Sequence, residues 1–306
     1  MNILFIGGVK FSYDILEHIL KNNFKISTIF SYKDSKKKYY SDISNFDDLS
    51  KKYDIPNIKI DKINDKENVE IIKKLNPDLI LIMGWSQLLK PEIIQIPKLG
   101  VIGSHPTELP KYRGRAPIPW TIIKNLKESA LTFFYIQEGV DDGDILDQRK
   151  FKINSKDDAT SIYEKITDIG KRMILQNLKL IEKGKSKKIK QDKKKFLEYW
   201  IKRTPEDGQI DWDSESNLIH DLIRASTAPY PGAFSRFKNK KLIIWKSELA
   251  KNHVNEPGKI LEISKKGVKI GTKSGCIIIK KVSFGRIQNV NANEIFTKTD
   301  IGKILN

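Results

Sequence analysis

The sequence predicts an α/β protein: a doubly wound, mostly parallel sheet followed by a smaller C-terminal β-barrel of OB-like type. Three observations carry this expectation. In the first half, short apolar runs such as "NILFIGG", "FKISTIFSY" and "PDLILIMGW" alternate with stretches whose apolar residues recur at helical spacing. "PDLILIMGW" is continuously apolar, as a strand buried on both faces must be. In the last third, "AFSRFKNKKLIIWKSEL", "GKILEIS", "GVKIGTKSG" and "CIIIKKVSF" are short alternating runs broken by glycines, which predicts a small antiparallel barrel or sandwich.

Taken in order, "NILFIGG" is a strand ending in two glycines, and "SYDILEHILKNN" places Ile15, Ile19 and Leu20 near helical spacing. A second strand at "FKISTIFSY" precedes polar helices at "NFDDLSKKYD" and "NVEIIKKLNP". "ALTFFYIQEGVDDGDILDQRKFKI" reads as strand, tight acidic turn and returning strand. The long amphipathic stretch "ATSIYEKITDIGKRMILQNLKLIEKG" predicts a covering helix that stops at Gly184. From Lys183 to Lys195 the chain carries eight lysines and almost nothing apolar, the composition of a solvated linker. The expected division is a first domain over 1–190, a linker over 191–204, and a second domain over 205–306 that begins with "TPEDGQIDW" and a short helix at "SNLIHDLIRAS".

Composition narrows the classes. A chain of 306 residues, 39% hydrophobic and 31% charged, is long enough for two globular domains. No apolar run approaches the roughly 20 residues a bilayer requires. "MNILFIGG" lacks a basic leader and a cleavage site, so it reads as a buried first strand. A single cysteine, Cys276, leaves no internal disulfide or cysteine metal cluster, and the natural expectation is a cytoplasmic protein. Fifty-six Lys and Arg against 38 Asp and Glu give +18, which favours phosphorylated or polyanionic partners. "GGVKFS" lacks the third glycine of a dinucleotide fingerprint, and no Walker-type loop occurs.

In doubly wound sheets ligands bind beyond the carboxyl ends of strands, which directs attention to the segments after "LILIMG" and "GVIGSH". The second opens "GSHPTELPKYRGRAPIPW", where Pro106 and Pro110 stiffen the backbone around His105. A preorganised imidazole suits a general base or an oxyanion partner. The turn "GVDDGD" gathers Asp141, Asp142 and Asp144 around Gly143. Acidic turns are common as plain turns, because Asp bonds its own backbone and Gly takes positive dihedrals. Brought together, however, the two loops would let a carboxylate orient and charge-stabilise a histidine. His18, His220 and His253 lack such a setting and no two histidines have ligand spacing, so no metal is expected. "GSHP" is not a nucleophile elbow.

"SHPTELPKYRGRAPIPW" followed by "DDGDIL" resembles the folate-dependent formyltransferases, and the resemblance continues through "KRTPEDGQIDW" and "IRASTAPYPGAFSRF". It implies an N-terminal domain that binds 10-formyltetrahydrofolate as co-substrate, joined to a smaller barrel-like domain. It also implies that His105 stabilises the oxyanion formed when an amine attacks the formyl carbon, and that Asp141 orients His105 and assists proton removal. The family usually carries Asn where this chain has Gly103, so either Ser104, a water or the Gly103 amide fills the donor's role, or the enzyme is slower. "MGWSQLLKP" resembles the pterin-binding stretch, with Met83, Leu88 and Leu89 as apolar wall and Asp144 and Ile145 beside it. Arg115 and Pro106 are candidate substrate contacts, and Arg113 is expected to brace the loop.

The short polar stretch "SYKDSKKKYYSDISNFDDLSKKYDIP" lacks the Pro-, Arg- and Gly-rich insertion usual in the initiator-tRNA enzymes. With "LFIGGVKFSYDILEHIL" it resembles the sugar nucleotide N-formyltransferases, and "RTPEDGQIDW" and "PYPGAFSRF" resemble the domain acting on a UDP-linked 4-amino-arabinose. The implied acceptor is a nucleotide-linked amino sugar, with methionyl-tRNA as the alternative and a homodimer left open. A nucleic-acid-binding protein is the third reading, with Phe237 and Trp245 as stacking surfaces on a lysine-rich barrel.

Overall fold

In the computed structural model, which describes every residue except 39, 40, 252 and 253 and the side chains of 37 and 38, the chain forms two compact units. One comprises Met1–Pro117, Glu128–Ile153 and Tyr163–Ile201; the other comprises Ile118–Lys127, Asn154–Ile162 and Lys202–Asn306. His253 lies outside the described residues.

The first unit opens with β1 (Ile3–Gly7), α1 (Lys10–Lys21), β2 (Thr28–Tyr32), α2 (Asp47–Tyr53), β3 (Asn57–Ile60), α3 (Lys66–Leu75), β4 (Leu79–Met83), α4 (Pro91–Ile94) and β5 (Val101–His105). After the short β6 (Tyr112–Gly114) come β7 (Glu128–Tyr135), β8 (Ile145–Lys152), α6 (Ala159–Glu182) and β9 (Glu198–Trp200), while α5 (Pro117–Ile123) from Ile118 on and the first turn of α6 are counted with the second unit. The seven-stranded sheet has the order β3-β2-β1-β4-β5-β7-β8. Its first four pairings are parallel, and β7 and β8 add an antiparallel edge.

Sequence position explains this order. All five residues of β4, "LILIM", are buried, because the strand lies between β1 and β5. One face packs Leu4, Ile6, Phe30, Ile82 and Val101 against Val69, Ile72 and Ile93. Each such side chain contributes about 1.5–3 kcal/mol on burial. Strand order reverses between β2 and β4 on either side of β1, so the carboxyl ends of β1, β4 and β5 converge at the switch point where such sheets place their ligands. The two glycines after β1 serve close packing: a Cβ at Gly8 would stand 2.2 Å from the Tyr32 ring. Ser12 then accepts hydrogen bonds from the amides of Gly8 (3.0 Å) and Val9 (2.9 Å), closing the start of α1.

The second unit contains α7 (Ser216–Ser226) and six strands: β10 (Ala233–Phe237), β11 (Lys240–Ala250), β12 (Ile260–Ser264), β13 (Gly267–Gly271), β14 (Cys276–Phe284) and β15 (Ile287–Asn291). They make one antiparallel sheet ordered β10-β11-β14-β13-β12, with β15 on β14. Ile244, Ile270, Ile277 and Ile279 pack with Ile219 and Ile223 of α7 in its core. Phe237 belongs to that core at 2% exposure, which removes it as a stacking surface.

Candidate active site

His105 ends β5, paired with Thr132 of β7. The loop beyond it is held rigid by hydrogen bonds as well as by proline. Thr107 Oγ1 donates to the Tyr112 carbonyl at 2.5 Å, Thr132 Oγ1 donates to the Thr107 carbonyl at 2.7 Å, and Gln148 Nε2 donates to the Leu109 carbonyl at 2.9 Å. Glu108 sits beside this network. Burial works against its ionisation, yet ion pairs with Lys111 (2.9 Å) and Lys150 (3.0 Å) prevail and hold its carboxyl below the usual range.

The structure brings the two loops together. Asp141 Oδ2 lies 3.6 Å from His105 Nδ1, with the histidine side chain 6% and the aspartate side chain 19% exposed. The same oxygen accepts the Gly114 amide at 2.9 Å. His105 Nε2 faces the Tyr112 carbonyl at 3.2 Å. Both ring nitrogens thus face oxygen acceptors, and neither contact is short. The 3.6 Å contact is longer than a hydrogen bond, and contacts of this kind in catalytic sites commonly tighten when substrate binds.

Asp141 occupies the left-handed region at φ 50°, a conformation Asp tolerates better than most residues. Two residues on, a Cβ at Gly143 would stand 1.7 Å from the Tyr135 carbonyl, so only glycine fits. Asp142 Oδ1 is buried without a hydrogen-bond partner among the described residues, as is Trp85 Nε1 after β4. Asp144 accepts the Tyr135 amide through its carbonyl at 2.8 Å, and Ile145 begins β8.

Gly103 pairs with Phe134, and a Cβ there would stand 2.5 Å from Ile136 Cδ1, so an isoleucine fills the space a side chain at 103 would need. Strand alternation turns the Ser104 side chain to the face opposite Gly103 and His105, away from the position where the family carries its carboxamide. Met83 and Leu89 are buried in the sheet and its flank, whereas Leu88 is 61% exposed. Arg115 is exposed and Pro106 half-buried. Arg113 is buried at 8% exposure, donates to Gln191 Oε1 at 2.8 Å and lies over the Phe196 ring at 5.5 Å, a bracing position.

Sequence reasoning missed three participants: the Gly114 amide, the Tyr112 carbonyl and Gln191. The first two are backbone groups that leave no mark on residue type. Gln191 sits in the lysine-rich stretch that composition assigns to solvent. Its lysines are indeed exposed, but Ile189 exchanges two backbone hydrogen bonds with Ile145 (2.7 and 2.9 Å), and β9 pairs in parallel with β6. The signal available was the break in the basic run at "IKQD". Among the described residues, no group of His, Cys, Asp and Glu is arranged to hold a metal ion, and no helix is long and apolar enough to cross a membrane.

Comparison with known proteins agrees with this layout. A formyl transferase family model matches residues 1–178, and a model of the formyl transferase C-terminal domain matches 202–299. The chain is 32% identical over 310 residues to a bifunctional polymyxin resistance protein ArnA from Wigglesworthia glossinidia brevipalpis, covering 97% of this chain and 47% of that relative. It thus spans about half the length of that protein. It is 31% identical over 285 residues to a methionyl-tRNA formyltransferase of Clostridioides difficile (strain 630), covering 92% of each. A solved N-formyltransferase from Helicobacter canadensis, in complex with folinic acid and dTDP-3-aminofucose, shares the fold at a TM-score of 0.67 and 22% identity, over 90% of this chain and 98% of that one. Two family models that together span most of the sequence, the first of them covering both His105 at the end of β5 and Asp141 in the β7–β8 turn, show that the chain belongs to the formyl transferase family.

Proposed function

We propose that this protein transfers a formyl group from 10-formyltetrahydrofolate to the amine of a nucleotide-linked amino sugar, with His105 and Asp141 at the reacting centre. The observation that carries the reading is their pairing across 3.6 Å at the carboxyl end of β5. When bound, 10-formyltetrahydrofolate supplies a formyl carbon open to attack by an amine. Residues present fit such a molecule: the buried, unpartnered Asp142 Oδ1 is an acceptor for ligand N–H groups, which a pterin carries. The Met83–Leu89 stretch and the Asp142–Ile145 turn would hold it, with Leu88 as the exposed apolar member. His105 would present a ring N–H to the oxygen on which charge grows. Asp141 would keep the ring oriented and receive the proton released by the attacking amine. Arg115, exposed beyond β6, would meet an acceptor phosphate.

Support for the sugar acceptor comes from the short stretch before α2, without a Pro- and Arg-rich insertion, and from the likeness to ArnA. Methionyl-tRNA is the second reading, favoured by the exposed lysines of 183–195 and by the full-length likeness to a methionyl-tRNA formyltransferase. The test incubates the protein with 10-formyltetrahydrofolate and a panel of nucleotide-linked 3-amino and 4-amino sugars beside methionyl-tRNA, following each acceptor by mass. A formyl gain on a sugar that His105→Ala lowers by at least about a hundredfold is the expected result. Gain on the tRNA alone would replace the sugar reading, and gain on no acceptor would sink both.

A further inference from the structure

We propose that Gln191 is a positioning residue for Asp141, acting through the two carbonyls that frame the acidic turn. The inference rests on the role given above to Asp141. Gln191 Nε2 donates to the carbonyl of Asp141 at 2.8 Å and to that of Gly143 at 2.7 Å, which uses both of its protons. Its Oε1 accepts from Arg113 Nη2 at 2.8 Å. Arg113 immediately precedes Gly114, whose amide holds the Asp141 carboxylate at 2.9 Å. One side chain therefore ties the main chain of Asp141 to the strand that fixes its carboxylate.

Such a tie is needed because Asp141 sits at φ 50°, a region an L residue keeps only when its surroundings over-determine it. Only a carboxamide meets the demand at 191, where two donors must face carbonyls and one acceptor must face a guanidinium. Lysine donates but cannot accept, and glutamate accepts but cannot donate. Gln191 is itself fastened, since Ile189 two residues earlier is hydrogen-bonded to Ile145 in both directions. The lysine-rich stretch thus contributes an uncharged residue to the candidate site. Release of the turn would let the carboxylate drift from His105, and a shift of about 1 Å at a reacting centre costs on the order of a hundredfold in rate.

Two variants separate positioning from bracing. Gln191→Glu keeps the size and the acceptor for Arg113 but loses both donors; Gln191→Met keeps the length and loses all three bonds. The expected result is that both lower kcat roughly 10- to 100-fold while the acceptor KM and the melting temperature stay near wild type. In the Asp141→Asn background, Gln191→Met should cause little further loss, because both act on one carboxylate. A second readout needs no acceptor: by NMR, the His105 ring resonances in Gln191→Met should move in the same direction as in Asp141→Asn. If Gln191→Glu turns over like wild type, Gln191 serves only to brace Arg113 and the proposal falls. It falls equally if the His105 ring resonances in Gln191→Met match those of wild type, or if the two losses multiply. Should wild type formylate no acceptor, the functional reading fails and the His105 ring resonances still decide the role of Gln191.

Discussion

A residue with no side chain shapes the surroundings of the histidine. Gly103 shares its face of β5 with His105, and the volume above it belongs to Ile136. The resemblance pointed to this position from sequence, because the motif around His105 reads so plainly. What sequence could not reveal is the filling: Ile136 is 33 positions away and reaches Gly103 only because β7 returns antiparallel to β5. Restoring the carboxamide alone therefore overpacks the site. Gly103→Asn is expected to destabilise the protein by about 1–3 kcal/mol and to turn over no faster than wild type. Adding Ile136→Ala should recover much of the melting temperature and raise turnover above that of the single variant. Steady-state kinetics and thermal melts of the three proteins check this, and a single variant as stable as wild type would show that Ile136 yields freely.

At the scale of elements, legibility followed burial. β4 is read easily because its apolar run is buried between β1 and β5, and the β7–β8 hairpin because the buried run of β7 leads into an acidic turn. β3, "NIKI", is a four-residue edge strand that is mostly half-exposed, and its composition carries little signal. The β6–β9 pair joins segments about 86 residues apart through backbone hydrogen bonds, which no local pattern announces. The short turn at Lys298–Asp300 was also silent, although Asp300 is fully buried there. Its carboxylate accepts the Thr297 amide (3.0 Å) and hydroxyl (3.1 Å) and pairs with Lys303 (2.7 Å) and Lys238 (3.1 Å). Burial pushes its pKa up, but these four partners outweigh burial and hold it far below the usual carboxylate range. Because the folded-state value is depressed, the stabilisation is complete above the ordinary aspartate pKa of about 3.9 and is lost as pH falls toward the folded value. Asp300→Asn should cost about 2 kcal/mol near neutral pH, and the gap to wild type should close as the pH falls below about 4. Chemical denaturation of both proteins at a series of pH values measures it, and a pH-independent gap would assign the loss to shape alone.

For the whole molecule, a net charge of +18 sets how acceptors arrive, and it offers a way to tell the two acceptor classes apart. Positive charge raises the encounter rate of any phosphorylated acceptor, and salt screens that advantage. A nucleotide-linked sugar carries only about two phosphate charges, so few counterions are displaced. A tRNA held through several phosphates releases many, and its affinity falls with a log–log slope of roughly −0.7 to −0.9 for each one neutralised. Under the sugar reading, log kcat/KM against log salt between about 50 and 200 mM should fall with a slope no steeper than about −2. Substituting the exposed lysines Lys193, Lys194 and Lys195 by glutamine should then leave sugar turnover nearly unchanged, since that reading assigns the charges that matter to Arg115 and the His105–Asp141 pair. A slope near −4 or steeper with methionyl-tRNA, relaxed by the same lysine substitutions, would show the lysine-rich stretch gripping RNA. In that case the charge of the chain would belong to its substrate recognition, and the amino sugar would give way to the tRNA as acceptor.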